Sequence, residues 1–270
     1  MRLGDVITLD RPVTFTAYTL CNLIRRRGAE PHKVIGETAA FYVPEDQRKL
    51  DEQVNAGLQQ AGLMGPRGID RDLLALIDSI SRPHLEYYGW FDGQFEDGSP
   101  ANFSALVGSG NGGGFGLVRV GRQPTLAVTR QRPELLLETF LDIVPAARTP
   151  PGQALLVDRK EFETGRANDS GEPRSSIMVG DQGRKHQASP LKEIQRIMQA
   201  PRTGNGTLYV AARTANGARK RIPKPINFVD IDEGRWLMEE RPGRESIVVY
   251  TPWSRQTVSE RLRQAQSALG

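Results

Sequence analysis

Residues 105–121 read ALVGSGNGGGFGLVRVG. Gly108, Gly110 and Gly113 fit the pattern G-x-G-x-x-G just after an apolar run, and Glu134 stands about 20 residues further on, where a dinucleotide-binding fingerprint wants its acid. That fingerprint needs a strand, a glycine turn and then a helix, because the pyrophosphate rests on the N–H groups of the helix's first turn. Here the glycines run into FGLVRVGRQPTLAV. Phe115, Leu117, Val118 and Val120 are strand residues, and Gly116, Gly121 and Pro124 would interrupt a helix. No βαβ unit fits, and no GK[ST] ending makes a P-loop. The run reads instead as a loose hairpin loop, residues 108–114, between two strands. Glu134 then sits in the first turn of a helix, where acids are favoured anyway.

Working outward, the flanks keep the same character. HLEYYGWF, NFSALV, FGLVRV and TLAVT form a run of strands separated by Gly and Asp-Gly. Helical periodicity precedes them over 17–26, 44–62 and 70–83. Pro44 suits a first turn, Asp70 a cap, and Leu73, Leu76, Ile77 and Ile80 make one apolar face. A helix over 132–145 closes the set. After the Pro/Gly boundary at 146–153 come a strand, ALLVD, and a polar Gly/Ser-rich stretch, 163–189, with almost no periodicity, read as a mobile loop. A helix capped by Ser189 carries Leu191, Ile194, Ile197 and Met198. The strands GTLYVAAR, INFVDI, RWLMEE and SIVVYT follow, then a C-terminal helix.

The order helix, strands, helix occurs twice, offset by roughly 120 residues. The expected fold is α+β, with quasi-two-fold halves over 1–148 and 149–270 and a central, mostly antiparallel sheet flanked by helical bundles.

Composition narrows the function. The chain has 270 residues, is 38% hydrophobic and carries 36 basic against 32 acidic residues, a net charge of +4. That is ordinary globular chemistry, mildly basic through many arginines rather than a basic tail. No apolar stretch is long enough to span a membrane, the N-terminus lacks the layout of a signal peptide, and the single cysteine, Cys21, rules out an internal disulfide. A cytoplasmic protein is expected. His32, His84 and His186 are scattered, so no zinc site is expected. No G-x-S-x-G or H-E-x-x-H motif occurs. Asp230 and Asp232 share a strand face, but the turn at Glu233-Gly234 accounts for them. With no catalytic constellation, no metal and no cofactor implied, the profile is that of a binding protein rather than an enzyme.

The second half carries a resemblance. A Pro-Arg-x-Gly turn follows the helix, on Pro201, Arg202 and Gly204. A Gly-led strand then runs from Gly206 to Arg213, a Gly-Arg turn falls on Gly217 and Arg219, and Asp230, Gly234 and Arg235 make an Asp-x-x-x-Gly-Arg turn. In these motifs, and by layout over the whole chain, the sequence resembles the ESX secretion-associated EspG family of actinobacteria. The resemblance implies a cytosolic specificity chaperone of type VII secretion. Such a protein binds the helical tip of a PPE substrate, held in a PE–PPE heterodimer, and keeps it soluble for export without cofactor, nucleic acid or membrane insertion. A helix tip needs an apolar groove with aromatic anchors. Tyr87, Trp90, Phe91, Leu191, Ile194 and Met198 are the candidates for it. Arg202, Gly204, Gly217, Asp230, Gly234 and Arg235 are expected to hold turns. The rival reading is a nucleic-acid module built on the basic hairpin 213–224, with Arg213, Arg219, Lys220, Arg221 and Lys224.

Overall fold

The computed structural model describes residues 12–36, 43–94, 98–100, 102–165, 189–241 and 246–270. The chain divides into two compact units. One comprises Met1–Ala146, Gly206–Pro223 and Arg255–Gly270, the other Ala147–Asn205 and Lys224–Ser254.

The first unit begins with β1 (Val13–Thr16) and α1 (Ala17–Arg26). Thr16 caps that helix, its hydroxyl accepting from the Thr19 N–H at 3.0 Å, while Arg25 and Arg26 occupy the last turn, where the helix dipole favours cations. Next, α2 (Pro44–Gln60) turns Leu50, Val54 and Leu58 inward. A miniature hairpin, β2 (Met64–Gly65) and β3 (Gly68–Ile69), leads to α3 (Arg71–Ser81). Asp70 caps α3 as its position suggests, accepting from the N–H groups of Asp72 and Leu73 at 2.9 and 3.0 Å. Then come β4 (Leu85–Asp92), β5 (Phe103–Gly110), β6 (Gly113–Val120) and β7 (Thr125–Gln131), each antiparallel to the one before. β1 adds to the outer edge of β7, pairing Val13 with Val128. A 3-10 turn over Pro133–Leu135 holds Glu134, and α4 (Leu136–Ile143) follows.

In the second unit, β8 (Leu155–Asp158) leads into the short α5 (Arg159–Thr164), followed by α6 (Pro190–Gln199). The polar stretch 163–189 falls outside the described residues from 166 to 188, and its first two residues belong to α5. Ser189 holds the capping position of α6, but its side chain makes no capping bond. β9 (Arg202–Arg213) passes from the second unit into the first, where β10 (Arg219–Arg221) folds back on it antiparallel. The second unit then gains β11 (Ile226–Ile231), β12 (Gly234–Arg241) and β13 (Ile247–Pro252), an antiparallel meander with β8 on its outer edge. The last helix, α7 (Arg255–Ser267), belongs to the first unit. Each unit is thus antiparallel strands with helices, the expected α+β class.

Each unit has its own core. Leu20, Ile24, Leu73, Ile77, Leu106, Phe115 and Leu117 anchor the first, with Cys21 buried among them. Ile194, Ile197, Val229, Trp236 and Tyr250 anchor the second. Burying each such aliphatic side chain contributes about 1.5–3 kcal/mol.

The glycine run is a hairpin, but not a loose one. Gly110 pairs with Gly113, so only Asn111 and Gly112 lie at the tip. The glycines make room for a neighbour. A Cβ on Gly110 would stand 2.7 Å from the Ser79 Cα, and one on Gly112 would stand 2.0 Å from the Ala75 carbonyl oxygen. The tip therefore lies directly on the backbone of α3, and the Gly112 N–H donates to the Ser79 hydroxyl at 2.9 Å. A helix laid across the tip, and not a phosphate beneath it, explains the composition.

The turn residues of the second half divide in the same way. Gly217 (φ 82°) and Gly234 (φ 132°) adopt left-handed backbone, and a Cβ on Gly234 would meet the Arg148 carbonyl oxygen at 2.5 Å. Arg202 and Gly204 are not in a turn. They lie inside β9, because the bend comes earlier, at Ala200.

Candidate functional site

The six side chains expected to line a groove separate by burial. On β4, alternation sends Tyr87 and Phe91 to one face and Trp90 to the other. Tyr87 and Phe91 are buried against Phe140 of α4, with ring centroids 6.0 and 6.3 Å apart. Tyr87 also donates to Gln266 of α7, and burial pushes its hydroxyl pKa up to about 12. Leu191 and Ile194 are buried in the second unit's core. These four fill cores and present no open surface, because α4 and α7 cover the first pair and the strands of the second unit cover the second. Trp90, 38% exposed, and Met198, 43% exposed, remain open.

The Trp90 face of β4 holds the site that spacing alone did not reveal. Tyr88 and Tyr209 stack there, nearly parallel at 5.1 Å. Trp90 stands perpendicular to both, at 5.7 and 6.0 Å, and the His32 ring meets Tyr88 edge-on at 4.5 Å. Two arginines of β10 roof this aromatic floor: Arg219 lies 5.7 Å over Tyr88 and Arg221 lies 4.9 Å over Tyr209. Arg219 also pairs with Glu86, which is buried beside the floor. Burial pushes the Glu86 carboxyl up, while Arg219 and Arg213 pull it back. Arg213 donates to the carbonyls of Pro83 and Gly217 at 3.3 and 2.7 Å. Glu86, Tyr88, Trp90 and the three arginines, together with residues 28–33 and 80–83, line a cavity of about 420 Å³ within the first unit, of the size that small-molecule and side-chain sites occupy.

The same geometry redirects the basic hairpin. Arg213, Arg219 and Arg221 point their guanidiniums at carbonyls, a carboxylate and aromatic rings, while Lys224 pairs with Glu240. Lys220 and the exposed Arg221 are left to meet a phosphate backbone. Among the described residues, no three His, Cys, Asp or Glu side chains gather as a metal site, and no helix is long and apolar enough to cross a membrane.

The Asp-x-x-x-Gly-Arg turn makes a second constellation, in the other unit. Arg235, on β12, donates to both Asp230 oxygens at 2.6 and 2.8 Å. Its guanidinium carbon lies 4.0 Å over Phe228 and 4.8 Å over Trp253. Asp230 and Arg235 are register partners across β11 and β12, so the ion pair clamps the hairpin whose turn Gly234 closes.

The sequence model of the EspG family matches residues 23–264, nearly the whole chain. The chain belongs to the EspG family. A comparison with curated proteins finds no match. Among solved structures, it is similar to the Mycobacterium tuberculosis type VII secretion system chaperone EspG5, determined in complex with the PE25–PPE41 dimer. The TM-score is 0.62 over 96% of this chain and 97% of that one, at 14% identity. At that identity the likeness is one of fold.

In this EspG-family chain, His32 offers a direct check on the cavity. Its Nδ1 accepts from the Val34 N–H at 3.2 Å, and the Arg219 guanidinium stands 3.4 Å from Nε2. Neither nitrogen faces an acceptor for a second proton. Burial, then Arg219 and Lys33, lower its pKa to about 3 from an ordinary 6.5. The unfolded chain binds a proton on this ring near pH 6.5, while the folded chain refuses it down to about pH 3. The ring's contribution is therefore complete above pH 6.5 and is lost as the pH falls between those values. Urea unfolding should show His32→Gln losing about 2 kcal/mol less than the wild type between pH 7 and pH 5. Parallel profiles would show that the ring ionises freely in the folded state.

Proposed function

We propose that this protein is a cytoplasmic chaperone of type VII secretion that holds the helical tip of a PPE protein, within a PE–PPE heterodimer, soluble for export. The observation that carries the reading is the extent of the match. The EspG family model covers residues 23–264, and the fold follows, over nearly its full length, a chaperone caught with a PE–PPE dimer. A piece of the fold reused for another purpose would match over less. The work asked of the protein is binding: an apolar helix end is covered, its aggregation is prevented, and no bond is made or broken. Exposed Trp90, beside an aromatic floor, is the kind of anchor such a contact uses.

The test is co-expression of the tagged protein with candidate PE–PPE pairs, followed by affinity capture and size-exclusion chromatography. A stable complex containing one PE–PPE pair is expected, with more soluble PPE protein than in its absence. Capture of no PE–PPE pair, with PPE solubility unchanged, would overturn the reading.

A further inference from the structure

The cavity on the Trp90 face carries positive charge that its own carboxylates do not balance. Five cationic side chains line it, Lys33, Arg82, Arg213, Arg219 and Arg221, against Glu30 and Glu86. Glu86 is taken by Arg219. Arg213 spends its hydrogen bonds on carbonyls. Arg82 and Arg221 are exposed, and among the described residues neither has an ion-pair carboxylate. Arg221 is nonetheless held in place by the Tyr209 ring beneath it, so its fork is oriented before any ligand arrives. Trp90 stands open on the same face.

Those features select a chemistry. A guanidinium fork pairs bidentately with a carboxylate, and two unneutralised forks favour an anion over a neutral or cationic group. The wall beside them is aromatic, which favours an anion carried on an apolar stem over a hydrated free ion. A volume of about 420 Å³ admits one or two side chains and excludes a folded element. The cavity lies within one unit and on the face of β4 that stays open.

We propose that this cavity receives an acidic side chain at the tip of the helical partner, its carboxylate held by Arg82 and Arg221 and its stem packed on Trp90. The inference rests on the partner reading above and names the chemistry that would set the partner's register. An acid deep in a cationic cavity fixes where a helix tip sits, which a greasy surface alone does not do.

Two measurements test it. The first titrates the full-length protein with a blocked, tryptophan-free helical peptide bearing Glu near its end, and with its Gln twin, following tryptophan fluorescence. Trp236 and Trp253 are buried, and Trp90→Phe identifies the responding residue. The Glu peptide should give a saturable change that the Gln twin does not, and the double variant Arg82→Ala/Arg221→Ala should weaken it at least tenfold with unchanged melting. Equal responses to the two peptides overturn the proposal. The second measures the affinity of the captured PE–PPE pair for wild type and double variant. At least a tenfold loss, with a shallower dependence on salt, is expected. An unchanged affinity overturns the proposal and leaves the chaperone reading intact. Failure of the wild type to bind any pair overturns the chaperone reading, and the peptide titration still decides whether the cavity takes a carboxylate. Free citrate that displaces the peptide without touching pair affinity marks a small-molecule site and overturns the assignment to the partner.

Discussion

Replacing Arg235 with alanine is expected to destabilise the protein by about 3–5 kcal/mol. The side chain is 1% exposed and its partner Asp230 20% exposed. Removing the cation leaves a half-buried carboxylate without its bidentate donor and opens a gap between Phe228 and Trp253. Asp230→Ala should cost a similar amount, because it takes the bidentate carboxylate away from a buried guanidinium. Arg235→Lys should rescue little, since an ammonium neither forks onto both oxygens nor lies flat on two rings. Chemical denaturation of the three variants decides the matter. A loss below about 1 kcal/mol for Arg235→Ala would put the pair among ordinary surface salt bridges.

The second large effect is expected at the hairpin tip. Gly112→Ala drives a methyl group to within 2.0 Å of the Ala75 carbonyl oxygen, a backbone atom that cannot swing aside as a side chain can. Either α3 or the tip must move, and the Gly112–Ser79 bond breaks with it. A loss of about 3 kcal/mol is expected. Gly113→Ala, one residue on, has φ 105° but nothing within 4 Å of its added Cβ. It should cost only the backbone strain, about 1 kcal/mol. A double-mutant cycle between Gly112→Ala and Ser79→Ala should be non-additive, because the two positions share one contact. Equal losses for Gly112→Ala and Gly113→Ala would show that conformational freedom, and not the helix lying across the tip, requires the glycines.

Much of the scaffold was legible in the sequence because it is written locally. Asp70 caps α3 where a short acid should, and the apolar spacing of Leu73, Leu76, Ile77 and Ile80 is that of one helix face. The hairpin at the glycine run was legible for the same reason. Its tightness was not, since nothing in residues 105–121 says that Ala75 and Ser79 will lie across them. The aromatic strand LEYYGWFD misled in a related way. Period-two alternation separates Tyr87 and Phe91 from Trp90, but β4 is covered over most of both faces, so alternation does not say which side stays open. On α6, Met198 falls seven residues after Leu191, the spacing of a shared face, yet it comes near the helix end and emerges. The cavity was beyond any local reading. Its walls come from residues near 30, 85 and 215, and only tertiary structure makes His32 and Arg219 neighbours.

The route of the chain between its two units bears on how the protein is made. Gly206–Pro223 and Arg255–Gly270 complete the unit that the first 146 residues begin. Val258 and Leu262 of α7 are fully buried, and Tyr87 reaches Gln266. During synthesis, then, the earlier-made strands must wait, with apolar faces uncovered, until α7 has been translated. The unit that starts first closes last. A protein with this connectivity spends its own nascent life in the exposed condition from which it is proposed to protect its client.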